Sequence, residues 1–145
     1  MQELLTKAIE LAKKAHEGQI DKGGSPYIGH PFRVMNQFED EEEKIVGVLH
    51  DAVEDSDLTL EDLATAGFSD RIIAAVDAIT KREGEQIDNY LNRVMNNSIA
   101  LKVKIADMTD NMDLSRITNI TEKDRARIRN YQINIVKLKD KLSEG

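Results

Sequence analysis

The chain has 145 residues, one domain's worth, and its 40% apolar fraction supplies one ordinary core and argues against wholesale disorder. It has no cysteine, which excludes a disulfide scaffold, a cysteine zinc site and a thiol nucleophile, and no apolar run of the roughly 18 residues that a membrane span needs. Acids outnumber bases 27 to 20, for a net charge of −7, so the basic stripe of a duplex-binding protein is missing and a polyanionic substrate would be repelled unless a bound cation helped.

The N-terminal stretch mixes acids and bases without a long apolar block, unlike a secretory leader, so a soluble, cytoplasmic chain is expected. Leu4, Leu5, Ala8, Ile9, Leu11, Ala12 and Ala15 form an amphipathic helical stripe that stops at His16-Glu17-Gly18. Gly23, Gly24, Pro26 and Pro31 mark the one strong loop. Pro31 suits the first turn of a second helix, with Phe32, Val34, Met35 and Phe38 facing inward. The acidic run from Glu39 to Glu43 reads as a solvated helix start, and a third helix is predicted from Glu41 to Asp55. Thr59 with Asp62 forms a capping pair for a short helix. Further helices are predicted over Ile72–Ile79, Ile87–Met95 and Ser98–Met112, and Thr121 with Asp124 opens the last. Leu101 to Ile105 alternates like a strand, but a lone strand would lack a partner, so helix is preferred. The expected fold is all-α, a single domain over 1–145 with seven or so helices and no second domain following.

The three histidines are His16, His30 and His50. A His-Asp pair such as His50-Asp51 means little alone. On a continuous helix, however, His50, Asp51, Glu54 and Asp55 would share one broad face. Without a cation such a face suffers like-charge repulsion, which a divalent metal would relieve. A solvated helix end with a few acids explains that segment equally well. His30 stands in a rigid turn before a helix, a position that also suits a cap or a buried hydrogen-bonding residue. Asp107 ends an apolar stretch and needs a partner if buried. Asn111 lies four residues on, and Asp110 and Asp113 read as surface acids.

Together these segments resemble the HD-domain phosphohydrolases, and within them the hydrolase domain of RelA/SpoT-type alarmone enzymes and the stand-alone small alarmone hydrolases. The resemblance runs from about Ala8 to Ile117. It rests on Ala15-His16-Glu17-Gly18-Gln19, Gly24-Ser25-Pro26-Tyr27-Ile28-Gly29-His30-Pro31, Leu49-His50-Asp51-Ala52-Val53-Glu54-Asp55 and Val103-Lys104-Ile105-Ala106-Asp107. It implies one divalent metal ion, usually Mn²⁺, held by His30, His50, Asp51 and Asp107. It implies that Glu54 is the general base toward the attacking water, with Asp55 orienting that water or protonating the leaving group. Lys22, Asn111 and Tyr27 match positions near the phosphates and nucleoside, although Tyr27 could equally pack under the loop. His16 is expected to be a structural residue at the helix end.

The implied activity is hydrolysis of guanosine-3′,5′-bis(diphosphate) at its 3′-ester, releasing pyrophosphate. Two positions depart from the family pattern: Asp21 and Met108 stand where arginines are usual. A carboxylate does not replace a guanidinium that stacks on a purine. The alternatives are therefore the same chemistry on another nucleotide phosphoester, such as a dinucleotide-cofactor phosphate or a nucleoside monophosphate, and a non-catalytic nucleotide sensor. The expected partner is a small phosphorylated nucleotide, with neither nucleic acid nor membrane, and the oligomeric state stays open.

Overall fold

The computed structural model describes residues 2–144 apart from Arg116 and Thr118. Nine α-helices run in order among the described residues: α1 (Gln2–Ala15), α2 (Gly29–Met35), α3 (Glu41–Leu49), α4 (Ala52–Asp55), α5 (Leu60–Thr65), α6 (Asp70–Ile79), α7 (Ile87–Met95), α8 (Ser98–Asn111) and α9 (Glu122–Ser143). The expected caps are present. Thr59 and Thr121 build capping boxes with Asp62 and Asp124 respectively; a further cap, not among those expected, is Asp40, which accepts the Glu43 N–H at the start of α3. Strand pairing among the described residues is limited to one bridge between Ile20 and Pro26, which closes the Gly-rich loop. Leu101 to Ile105 lies inside α8 with Leu101 and Val103 buried, as the helical reading requires. No helix of the described residues is long and apolar enough to cross a membrane.

α3 is the central helix, packed against α1, α2, α6 and α8. Ile45, Val46, Val48 and Leu49 on it are wholly shielded from solvent. α2 approaches α3 at Gly47, where a Cβ would lie 3.2 Å from the Met35 Cα, so a side chain there would push the two helices apart.

One predicted element is corrected. The helix expected from Glu41 to Asp55 breaks after Leu49, and a four-residue helix resumes at Ala52. Asp51 departs from ideal helical angles, with φ −104° and ψ −6°, while staying in the right-handed region. Successive side chains on a regular helix point about 100° apart, and at this break His50 Nε2 and Asp51 Oδ2 come within 3.1 Å of each other. The split also helps to raise the helix count above the expected seven or so.

Candidate metal centre

Three distant stretches converge on one point. α2 supplies His30 in its first turn, the α3–α4 turn supplies His50 and Asp51, and α8 supplies Asp107. One donor atom from each of these four lies within 4.8 Å of the others. His30 Nε2 is 2.7 Å from Asp107 Oδ1, and His50 Nε2 is 3.1 Å from the same oxygen. His50 Nε2 is also 3.1 Å from Asp51 Oδ2.

The other ring nitrogens are committed elsewhere. His50 Nδ1 donates to the Gly47 carbonyl at 2.6 Å, and His30 Nδ1 lies 2.6 Å from Asp110 Oδ2. Both imidazoles therefore turn Nε2 inward, the arrangement that fixes a metal-ligating histidine. Two imidazole nitrogens and two carboxylates fit a borderline divalent ion better than a hard one such as Ca²⁺.

Without an ion, the four groups satisfy one another as charges. Burial pushes His50 down, but the Asp51 and Asp107 carboxylates outweigh it and hold it well above 6.5. His30 is likewise raised, burial being overcome by its bonds to Asp107 and Asp110. Burial pushes Asp107 up, yet the Lys104 ammonium and the two imidazoles hold it well below the usual carboxylate range.

A cavity of about 380 Å³ opens beside His30. It gathers Lys22, Tyr27 and Asn111, the three residues expected to touch substrate. Tyr27 also donates its hydroxyl to Asp51 Oδ2, and Asn111 Nδ2 donates to Asp107 Oδ1 at 3.1 Å, so both brace carboxylates of the four-residue group. Glu54 and Asp55 stand outside the four-residue group. Glu54 Oε1 accepts the Lys81 N–H at 2.9 Å, facing the loop after α6. Asp55 lines a separate depression with Lys14 and Asp62. Partial burial, then the charges of Asp51 and Glu54, raise the Asp55 carboxyl to about 6.

Several residues of the site escape sequence reasoning. Asp110, expected at the surface, is buried: it lies three residues after Asp107, on the face of α8 that meets His30 and Arg33. Lys104, three residues before Asp107, places its Nζ 2.9 Å from Asp107 Oδ2. Arg127 and Tyr131 of α9 reach the cavity from outside the segments that carry the resemblance. The i, i+3 spacing of Lys104, Asp107 and Asp110 is the one signal that could have found the two on α8. His16 is buried behind Tyr27, with ring centres 5.0 Å apart; its Nδ1 meets Gln19 and burial lowers its pKa.

The two departures have structural explanations. Asp21 Oδ1 accepts the N–H groups of Gly23 (2.9 Å) and Ser25 (3.0 Å), so its carboxylate shapes the loop. Met108 is buried in the core.

No protein-family model matches the chain. Curated relatives do. A GTP pyrophosphokinase of Myxococcus xanthus is 30% identical over 92% of this chain and 20% of its own length. Guanosine-3′,5′-bis(diphosphate) 3′-pyrophosphohydrolases of Aquifex aeolicus and Vibrio cholerae are 32% and 34% identical over 77% and 76% of this chain, and over 17% and 18% of their own lengths. The chain thus spans about a fifth of these relatives. A solved structure of a metazoan ortholog of SpoT, described as hydrolysing ppGpp, superposes with a TM-score of 0.76 at 24% identity, covering 97% of this chain and 92% of that one. The two share a fold.

Proposed function

The chain belongs to the HD-type hydrolase domains of the RelA/SpoT family, and from that premise we propose that it is a guanosine-3′,5′-bis(diphosphate) 3′-pyrophosphohydrolase of the cytoplasm that uses Mn²⁺. The observation that carries the reading is the convergence of His30, His50, Asp51 and Asp107 at the edge of a cavity that also gathers Lys22, Tyr27 and Asn111. When bound, a divalent ion would supply Lewis acidity toward a phosphoryl oxygen and make water more acidic.

The remaining work falls to the chain's own groups. Water oxygen attacks the phosphorus next to the ribose 3′-oxygen, the ester P–O bond breaks, and pyrophosphate and guanosine 5′-diphosphate leave. Glu54 takes the water proton, and its carboxylate is steadied by the Lys81 N–H at one oxygen. Asp55, raised to about 6, orients the water or returns a proton to the 3′-oxygen. Tyr27 holds Asp51, Asn111 holds Asp107, and Lys22 meets substrate phosphate.

The test uses purified protein with Mn²⁺ and a panel of ppGpp, nucleoside monophosphates and NADPH. Pyrophosphate release from ppGpp is expected. Asp51→Ala should lose metal and activity together. Glu54→Ala should keep its metal and lose about 10²-fold or more in turnover. A second reading, the same chemistry on another nucleotide phosphoester, draws support from Asp21, whose carboxylate is spent inside the loop and offers a purine nothing to stack on. Cleavage confined to other panel members would select it, and no hydrolysis by metal-loaded protein would reject both.

A further inference from the structure

Arg33 lies three residues after His30 on α2, so the two share a helix face. Its Nε donates to Asp110 Oδ1 at 2.8 Å, while the other oxygen of Asp110 meets His30. The side chain is 36% exposed and lines the 380 Å³ cavity. Its Nη1 lies over Gly29, so close that a Cβ there would come within 2.9 Å. Neither Nη group meets an acceptor among the described residues. One nitrogen thus anchors the guanidinium, and two remain to address whatever enters the cavity.

The cavity's other bases are held differently. Lys22 is 62% exposed, with Nζ 4.0 Å from Asp124, and Arg127 Nη1 donates to the same carboxylate at 3.1 Å. Asp21 brings no positive charge. In a chain of net charge −7, a tethered guanidinium beside the metal ligands is well placed to receive a phosphate, because its planar fork matches phosphate oxygens and loses little freedom on binding.

We propose that Arg33 is a substrate-binding residue that grips a phosphate of the nucleotide other than the one attacked, and so helps to select doubly phosphorylated nucleotides. This rests on the phosphohydrolase reading. The phosphate belongs either to the 5′-diphosphate or to the outer position of the departing pyrophosphate. GDP and pyrophosphate probe these two sources separately, and guanosine serves as the uncharged control.

The metal-loaded full chain is titrated with each probe, as wild type, Arg33→Gln, Arg33→Met and Arg33→Lys. GDP or pyrophosphate should bind about 10- to 30-fold more weakly to the Gln and Met variants, the loss expected of one charge-assisted contact. Guanosine should stay within about twofold, and Lys should recover part of the loss. With ppGpp, KM should rise by a similar factor while kcat changes less than about threefold. Reading two neutral variants keeps the result decisive if one folds poorly. Unchanged binding of both anions overturns the proposal. So does an equal loss for guanosine, or a joint fall in kcat and Mn²⁺ affinity at constant KM, which would make Arg33 a brace for His30. If wild type binds GDP through Arg33 but hydrolyses no ppGpp, the proposed activity fails and the Arg33 assignment stands.

Discussion

The two oxygens of Asp107 are divided between neighbours: Oδ1 faces the two imidazoles and Oδ2 takes the Lys104 ammonium. In the proposed site Lys104 thereby leaves Oδ1 free to coordinate, and Lys104→Met should weaken binding of the proposed Mn²⁺ about 10- to 100-fold, measurable by competition with a chelating dye. The imidazoles give a second prediction. Both have raised values when no ion is bound, so the stability they contribute is full below pH 6.5 and is lost as pH rises through the raised values. Asp107 is held down, so its contribution is present above its ordinary 3.8 and fades as pH falls through its lowered value. Metal-free protein should therefore melt at a lower temperature at pH 9 than at pH 6, and Mn²⁺ should bind more tightly as the ligands shed protons. His30, His50, Asp51 and Asp107 were legible in the sequence because their flanking residues make a motif. Asp110, Lys104 and Arg33 were not, because a charged residue reads as solvated until the fold shows which face is covered.

Among the elements, α5, α6, α7, α8 and α9 fall close to their predicted positions, since apolar periodicity and capping pairs are local signals. The break at His50–Asp51 carries no such signal. No glycine or proline marks it, and what pulls Asp51 aside comes from elsewhere: Tyr27, 24 residues away in sequence, donates to its carboxylate. Gly47 is a point of close approach between α2 and α3. Alanine is the better helix former by about 1 kcal/mol, but the clash with Met35 backbone costs about 1–3 kcal/mol. Gly47→Ala should therefore lower stability in urea melts and disturb the His50 Nδ1 bond to the carbonyl of the same residue. At α9, Thr121→Ala removes the capping box and should cost about 1 kcal/mol in the same melts with little change in metal affinity.

Across the whole molecule, the proposed ligands sit on α2, the α3–α4 turn and α8, so a bound ion would tie together segments as far apart as His30 and Asp107, separated by 77 positions. Binding to the folded state alone stabilises by about 2.7 kcal/mol at a hundredfold excess over Kd. For a chain of this length that amounts to a melting shift of roughly 10 °C. Chelation should produce such a drop in wild type and almost none in Asp51→Ala. The same long reach hid one wall of the cavity from sequence reasoning. α9 packs along α8 and brings Arg127 and Tyr131 to a space whose opposite side is built by the loop after α1 and by α2. No local pattern in α9 announces that meeting, because it depends on how two helices far from the loop pack together.

The Asp21 turn makes its carboxylate hard to exchange. An arginine there would bring a cation to the rim of the cavity, but would strip the Gly23 and Ser25 amides of their shared acceptor. The buckle of the loop and the charge of its tip are thus set by one side chain, and an arginine at that position would need compensating changes nearby before it helped.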